Sequence, residues 1–126
     1  MNEEKKKGMK TNNVIVDKTF DFAVRIVKLY QQLTTEKKEF VLSKQILRSG
    51  TSIGANIEEA VGAISKKEFI AKTQIAYKEA RETKYWLKLL LETEYIDKEA
   101  FDKMIVNIEE IIRIIVAILK SSKNEN

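Results

Sequence analysis

Residues 65–90 read SKKEFIAKTQIAYKEARETKYWLKLL, and this stretch decides the fold class. Its first four residues match the capping box, in which the Ser65 hydroxyl accepts a hydrogen bond from the Glu68 amide and the Glu68 side chain reaches back. Small and apolar residues then recur at intervals of three and four, which is the spacing of one helix face. They are Phe69, Ala76, Ala80, Thr83, Leu87 and Leu90. The stretch therefore predicts a helix that ends at about Thr93.

Three further segments of the chain show the same helical spacing of apolar residues. The first is predicted over about 17–33, and the second over about 35–63, with Thr35 as its N-cap. The last is predicted to follow an Asp97 cap and to run over about 98–120. Together with the helix after Ser65, they make four helices.

Short polar connections between four helices predict an all-α fold, an antiparallel up-down-up-down four-helix bundle. The bundle is expected over residues 17–120. Residues 1–16 are expected to form a basic, flexible N-terminal tail, and residues 121–126 a frayed C-terminal tail.

Two β alternatives are disfavoured. The chain has no proline and only four glycines, too few turn formers for an all-β fold. Residues 111–119, IIRIIVAIL, are rich in β-branched residues and could form a strand. A helix is favoured there because the spacing is unbroken after Asp97 and no other segment offers a partner strand.

The residue types that are missing exclude much chemistry. Without cysteine or histidine, the chain can form no disulfide, no thiolate or imidazole catalytic group and no zinc site of the usual kind. Glu58 with Glu59, and Glu79 with Glu82, could hold a divalent cation through oxygen ligands. Pairing with basic neighbours is the favoured interpretation, and a hydrolase built on them would lack a nucleophile. We therefore expect no catalytic residue, no metal and no cofactor.

Targeting signals are not evident in the sequence. The first 13 residues, MNEEKKKGMKTNN, are charged and polar, unlike a secretory signal. The longest apolar run, residues 111–119, contains Arg113 and is far shorter than the ~20 residues of a membrane span. We expect a soluble, cytoplasmic protein that does not contact membranes.

The segment RSGTSIGANIEEA, residues 48–60, concentrates small residues within one predicted helix. A glycine inside a helix costs about 1 kcal/mol relative to alanine. Gly50 and Gly54 lie four residues apart and so share a face. Their spacing fits no phosphate-binding fingerprint, and no strand precedes them. We expect them at a close helix–helix contact, packed against Trp86 or a phenylalanine.

The fourth helix is more apolar than a bundle requires. Its apolar residues cover nearly half of its circumference, whereas a core-facing stripe is little wider than about 100°. A deeply buried helix would explain this, but large apolar patches are typical of subunit interfaces. The residues assigned to an oligomer interface are Ile111, Ile114, Ile115 and Ile118.

The formal net charge is +4, and the basic residues concentrate in the N-terminal tail and the third helix. Cationic side chains can neutralise phosphates, and the nearby Tyr77 and Tyr85 could stack on unpaired bases. The alternative is a solvated surface, with Glu79 and Glu82 neutralising the third helix. The residues predicted to bind nucleic acid are Lys67, Lys78, Arg81, Lys84 and Lys88 on that helix, and Lys5, Lys6, Lys7 and Lys10 in the tail.

Residues 45–63, QILRSGTSIGANIEEAVGA, and the capped helix after them resemble the family of the 23S ribosomal RNA intervening-sequence proteins. The resemblance covers about residues 18–119. It departs at Gly54, where proline is common in the family, and over residues 79–87, EARETKYWL. The matching positions are Arg48, Ser49, Ser52, Ile53, Asn56, Ile57, Glu59, Ser65, Glu68, Phe69, Ile75, Ala76 and Ala80.

This resemblance implies a four-helix bundle that assembles as a homopentameric ring with a basic surface suited to RNA. The family is similar to the accessory variability determinant of diversity-generating retroelements, which binds a reverse transcriptase and its RNA. The leading hypothesis is a non-enzymatic, oligomeric, RNA-associated adaptor. The alternative is a protein–protein scaffold that holds a partner enzyme such as a reverse transcriptase.

Overall fold

The computed structural model describes the backbone of residues 3–124 and the side chains of residues 14–123. This part of the chain forms four α-helices and no strand, which confirms the all-α prediction. Residues 111–119 are helical. The helices are α1 (Glu3–Thr35), α2 (Leu42–Val61), α3 (Lys66–Glu92) and α4 (Lys98–Asn124).

The four helices pack as a bundle around one apolar core. α2 contacts α1 and α3, and α4 contacts α3 and α1. The predicted stripe of α3 is buried at Ala76, Ala80, Leu87 and Leu90, and Thr83 is buried among them. The other core residues are Ile15, Phe22, Ile26 and Leu33 from α1, Ile46, Ile53 and Ile57 from α2, Ile96 before α4, and Met104, Ile108, Ile111 and Ile115 from α4.

The first helix is longer than the sequence predicted. It begins at Glu3 rather than near Asp17, and Ile15 is buried in the core instead of lying in a tail. Lysine and glutamate are good helix formers, and acidic residues at positions 3 and 4 favour a helix N-terminus. The polar segment was overlooked because it lacks apolar periodicity. Its flexibility stays a prediction.

The second helix begins later than predicted, because Glu39 and not Thr35 caps it. The Thr35 hydroxyl donates to the Gln31 carbonyl at 2.7 Å, within α1. The buried Glu39 carboxylate accepts hydrogen bonds of 2.7–2.8 Å from the amides of Val41, Leu42 and Ser43. Burial raises the pKa of Glu39, but these amides outweigh it and hold the pKa below its ordinary value. Glu39 thus satisfies amides that a helix start leaves unpaired.

The predicted caps of α3 and α4 are confirmed. The Ser65 hydroxyl accepts from the Glu68 amide at 3.1 Å, and the Glu68 carboxylate accepts from the Ile64 amide at 3.3 Å. The Asp97 carboxylate accepts from the Ala100 amide at 2.8 Å.

Both small residues of the predicted close contact lie against α1. A Cβ placed on Gly50 would lie 2.7 Å from Cγ1 of Ile26, and one placed on Gly54 would lie 3.3 Å from the Thr19 carbonyl oxygen. The neighbour is therefore α1, whereas Trp86 or a phenylalanine was expected. The indole of Trp86 instead donates to Glu82. Sequence periodicity shows which face is small, but not which helix covers it.

Candidate nucleic-acid interface

Two carboxylates of α3, those of Glu79 and Glu82, face α2 and are paired. Arg48 of α2 donates to Glu79 at 3.2 Å and pairs with Glu82 as well. Nε1 of Trp86 donates to the same Glu82 oxygen at 3.0 Å. Both glutamates thus pair with a basic neighbour, as the sequence analysis favoured, and they do so on the α2 side of the helix.

The opposite side of α3 forms a shallow recess with α4, which we call the α3–α4 recess. Its volume is about 360 Å³, and its lining includes no carboxylate among the described residues. The lining residues of α3 are spaced by three, one and three positions, so they share a face. The recess is lined by Arg81, Lys84, Tyr85 and Lys88 from α3 and by Ile112 from α4. It combines three cations with one aromatic ring and an apolar floor.

The cations of the recess differ in how they are held. Nζ of Lys84 lies 3.3 Å from the Glu109 carboxylate of α4, which partly neutralises it. The Arg81 guanidinium donates to the Tyr77 hydroxyl at 3.1 Å and lies 5.9 Å from the centre of that ring. Lys88 is exposed and has no ion pair within residues 14–123. Within the described residues, neither Arg81 nor Lys88 is paired with a carboxylate.

The two tyrosines of this helix have different surroundings. Tyr77 is half-buried, and its hydroxyl and ring both contact Arg81. Tyr85 is 58% exposed and meets Trp86 edge to face, with the ring centres 5.0 Å apart and the planes at 71°. Tyr85 is thus the tyrosine of α3 that presents a ring to solvent.

The remaining predicted contacts do not join this recess. Lys67 and Lys78 are exposed on α3 but do not line it. The side chains of the tail residues Lys5, Lys6, Lys7 and Lys10 lie outside the described residues.

Comparison with known proteins assigns the chain to a family. A family model for the 23S rRNA-intervening sequence protein matches residues 11–117. The chain belongs to this family. The match begins before the resembling region recognised in the sequence, in agreement with the early start of α1.

One solved structure is closely similar to this family member. It is a protein of unknown function from the S23 ribosomal protein family of Bacteroides thetaiotaomicron VPI-5482, with 55% sequence identity and a TM-score of 0.86. The match covers 87% of this chain and 98% of that one. The comparison with curated proteins finds no match.

The structure corrects two of the four interface residues predicted on α4, and the other two stay a prediction. Ile111 and Ile115 are buried in the bundle's own core, so they cannot form a surface between subunits. Ile114 and Ile118 are half-buried, and they follow Glu110 at intervals of four residues. Glu110 pairs with Lys18 of α1 at 2.8 Å, so this face of α4 is directed towards α1. The apolar width of α4 therefore mainly serves two helix contacts within one chain.

An exposed apolar surface lies instead on α1, and the sequence analysis missed it. Phe20 is 66% exposed, and Val24 and Val27 are 39% and 38% exposed. We call these three residues the α1 apolar patch. Beside Phe20 runs a groove of about 200 Å³ towards Gly54 and the neighbouring small residues of α2. The sequence does contain a signal for this patch, because its three residues are spaced by four and three positions along α1. They form a second apolar stripe beside the stripe that faces the core.

Neither metal binding nor membrane insertion gains support from this part of the chain. The described residues contain no group of three acidic side chains placed to hold a metal ion. Glu59, one of the paired carboxylates, pairs with Lys72 of α3 at 3.4 Å. None of the helices, over the stretches described, has the length and hydropathy of a membrane-spanning segment.

Proposed function

We propose that this protein is a non-enzymatic, oligomeric adaptor that associates with RNA in the cytoplasm. The observation that carries the proposal is the α3–α4 recess, where three cations and the exposed Tyr85 converge. Glu79 and Glu82 of the same helix pair instead with Arg48 of α2. Cations bind RNA by neutralising phosphates and releasing counterions. The family description, which names an intervening sequence of 23S rRNA, supports the same partner.

We propose antiparallel neighbours in an up-down-up-down bundle. Between α2 and α3, Ser49 meets Thr83 at 2.9 Å, whereas Glu59, further along α2, meets the earlier residue Lys72. The residue numbers therefore rise on one helix and fall on the other. Gly50 against Ile26 and the later Gly54 against the earlier Thr19 follow the same rule between α1 and α2.

We propose that assembly into a homopentameric ring gives the RNA contact its strength. One recess offers only three cations. Identical recesses around a ring can bind the same RNA strand at the same time, and this raises the overall affinity for that strand. The α1 apolar patch is the surface that favours self-association, since exposed aromatic and aliphatic residues are typical of interfaces. It replaces the buried Ile111 and Ile115 in that role.

The test is binding of a labelled single-stranded RNA over a range of KCl concentrations. Reversal of charge by Arg81→Glu with Lys84→Glu should weaken binding for all RNA sequences. The slope of log affinity against log salt concentration should become shallower by about 0.7 for each phosphate that is no longer neutralised. The matched control is Lys44→Glu with Lys103→Glu, which changes the net charge equally at exposed lysines outside the recess. Equal weakening in both double variants would contradict a specific role for the recess.

A second experiment separates the recess from the N-terminal lysines. Removal of residues 1–10 should leave most of the affinity if the recess is the main contact. Loss of binding with this segment, together with normal binding by the Arg81→Glu and Lys84→Glu variant, would assign the contact to the lysines of that segment.

The second candidate function is a scaffold that holds a partner enzyme such as a retroelement reverse transcriptase. The observation that favours it is the exposure of Phe20 in the α1 apolar patch, which suits a protein partner better than RNA. A scaffold of this kind would show no RNA binding at physiological salt in the same titration.

A further inference from the structure

We propose that the α3–α4 recess selects an unpaired nucleobase with its flanking phosphates, and that Tyr85 is the residue on which the base stacks. This inference rests on the proposed function and narrows the RNA contact to unpaired nucleotides. Proteins that bind single strands stack aromatic side chains on the faces of unpaired bases, and this interaction tolerates any sequence because every base has such a face.

The exposure of Tyr85 and its contact with Trp86 make it suited to stacking. Tyr85 is 58% exposed, whereas the Tyr77 hydroxyl accepts a hydrogen bond from Arg81 and the Trp86 indole donates one to Glu82. The edge-to-face contact with Trp86 favours this orientation of the Tyr85 ring before a ligand arrives. A ring that is already oriented loses little conformational freedom when a base stacks on it.

The cations lie where the phosphates of such a nucleotide would be. Arg81 is four residues before Tyr85 and Lys88 is three residues after it, about 6 Å and 4.5 Å along the helix axis. A base on Tyr85 would therefore place its 5′ and 3′ phosphates near opposite ends of the recess. Ile112 of α4 supplies apolar surface beside the ring.

A duplex cannot use this arrangement in the same way. Its bases are stacked on one another, and only its phosphates reach a shallow recess. Duplex binding would depend on Arg81, Lys84 and Lys88 but not on Tyr85. Among the described residues, the lining contains no acidic or amide side chain, and its cations are assigned to phosphates rather than to base edges. The recess is therefore expected to distinguish unpaired from paired bases rather than one base from another.

The experiment compares Tyr85→Ala, Tyr85→Phe and the unmodified protein on three probes of about 20 nucleotides, a length that exceeds the ~4–16 nucleotides of a typical single-strand site. The probes are oligo(U), oligo(dT) and a duplex RNA. We expect Tyr85→Ala to weaken both single-stranded probes by about 5- to 100-fold. We expect an almost unchanged affinity for the duplex, and near-normal binding by Tyr85→Phe, which keeps the ring. Tyr30→Ala on α1 is the matched control, since Tyr30 does not line the recess.

A second measurement needs no variant. Trp86 is the chain's single tryptophan and contacts Tyr85. A base stacked on the Tyr85 ring should therefore change the fluorescence of Trp86. Oligo(U) and oligo(dT) should therefore change the fluorescence, whereas inorganic polyphosphate, which has charges but no bases, should not.

The outcomes separate the two proposals. The stacking role of Tyr85 would be overturned if Tyr85→Ala weakened binding equally on the single strands and the duplex, or weakened binding on no probe. It would also be overturned if the variant kept the preference of the unmodified protein for oligo(U) over the duplex. If Arg81→Glu with Lys84→Glu still weakened binding in that case, the proposed function would stand. Failure of the unmodified protein to bind any of the three probes would overturn the proposed function itself.

Discussion

Replacing Gly50 by alanine tests the contact between α1 and α2 at its tightest point. The added Cβ would lie 2.7 Å from Cγ1, 2.9 Å from Cγ2 and 3.0 Å from Cδ1 of Ile26, whereas unstrained carbon contacts are about 3.5–4.0 Å. Ile26 is fully buried, and a β-branched side chain in a helix has one strongly preferred χ1 rotamer. The helices must therefore move apart by close to 1 Å, or Ile26 must leave its preferred rotamer.

The expected magnitude is the difference between two opposing effects. Overpacking a tight core costs about 1–3 kcal/mol. The replacement of glycine by alanine within a helix stabilises the folded state by about 1 kcal/mol. We therefore expect Gly50→Ala to lower the free energy of unfolding by about 1 kcal/mol.

Gly62→Ala is the matched control. Gly62 ends α2 with a φ of −86°, and the atom nearest to an added Cβ is 3.6 Å away. This substitution should be neutral or stabilise by up to about 1 kcal/mol. Gly50→Ala should thus lower the urea midpoint, whereas Gly62→Ala should leave it unchanged or raise it, as measured by far-ultraviolet circular dichroism at one protein concentration.

A double-mutant cycle identifies Ile26 as the cause. Ile26→Ala alone should cost about 2–5 kcal/mol through the cavity that it leaves. In the double variant with Gly50→Ala, the new methyl group enters that space, so the cost should be at least about 0.5 kcal/mol below the sum of the single costs. A Gly50→Ala variant as stable as the parent, or strict additivity with Ile26→Ala, would refute the close-contact argument.

Two further predictions concern the cap of α2 and the assembly surface. Glu39→Gln should lower the free energy of unfolding at pH 7 by about 1–3 kcal/mol, because the charged acceptor of three backbone amides is removed. The pKa of Glu39 is lower in the folded state than in the unfolded state, so its contribution to the free energy of unfolding is present above the unfolded-state pKa and disappears as pH falls through the folded-state pKa. In acid titrations, the parent protein should therefore lose more stability than the variant below about pH 4.5. Phe20→Glu should dissociate the oligomer in light scattering with the helical circular dichroism signal unchanged, whereas Ile111→Glu should unfold the chain because it buries an unpaired charge. A monomeric parent protein at micromolar concentration would contradict the assembly proposal.

Local signals along the chain determined the helices and most of their ends. The capping box at Ser65 and the Asp97 cap depend on hydrogen bonds that span three residues, so the sequence shows them directly. The stripe of α3 is buried from Ala76 to Leu90 as its spacing predicts, and Phe69 at its start is partly buried. The spacing is informative because 3.6 residues per turn place these residues on one face. The family was recognisable from residues 45–63 and the helix after them.

The candidate site was predicted only in part. The spacing of Arg81, Lys84 and Lys88 placed them on one side of α3, and the structure brings these three together. Spacing alone could not show that Glu79 and Glu82 turn to Arg48, since that contact joins residues 31 and 34 positions apart. It could not separate Tyr77 from Tyr85 either.

Tertiary packing decided how each helix is rotated relative to its neighbours. Ile111, Ile114, Ile115 and Ile118 look alike in the sequence, yet two of them are buried in the core and two lie towards its margin. Glu39 became a buried cap only because the chain between α1 and α2 folds its carboxylate onto the start of α2. A pattern of residues defines which face of a helix is apolar, but the neighbours that cover that face are fixed by the simultaneous packing of all four helices, which no single segment encodes.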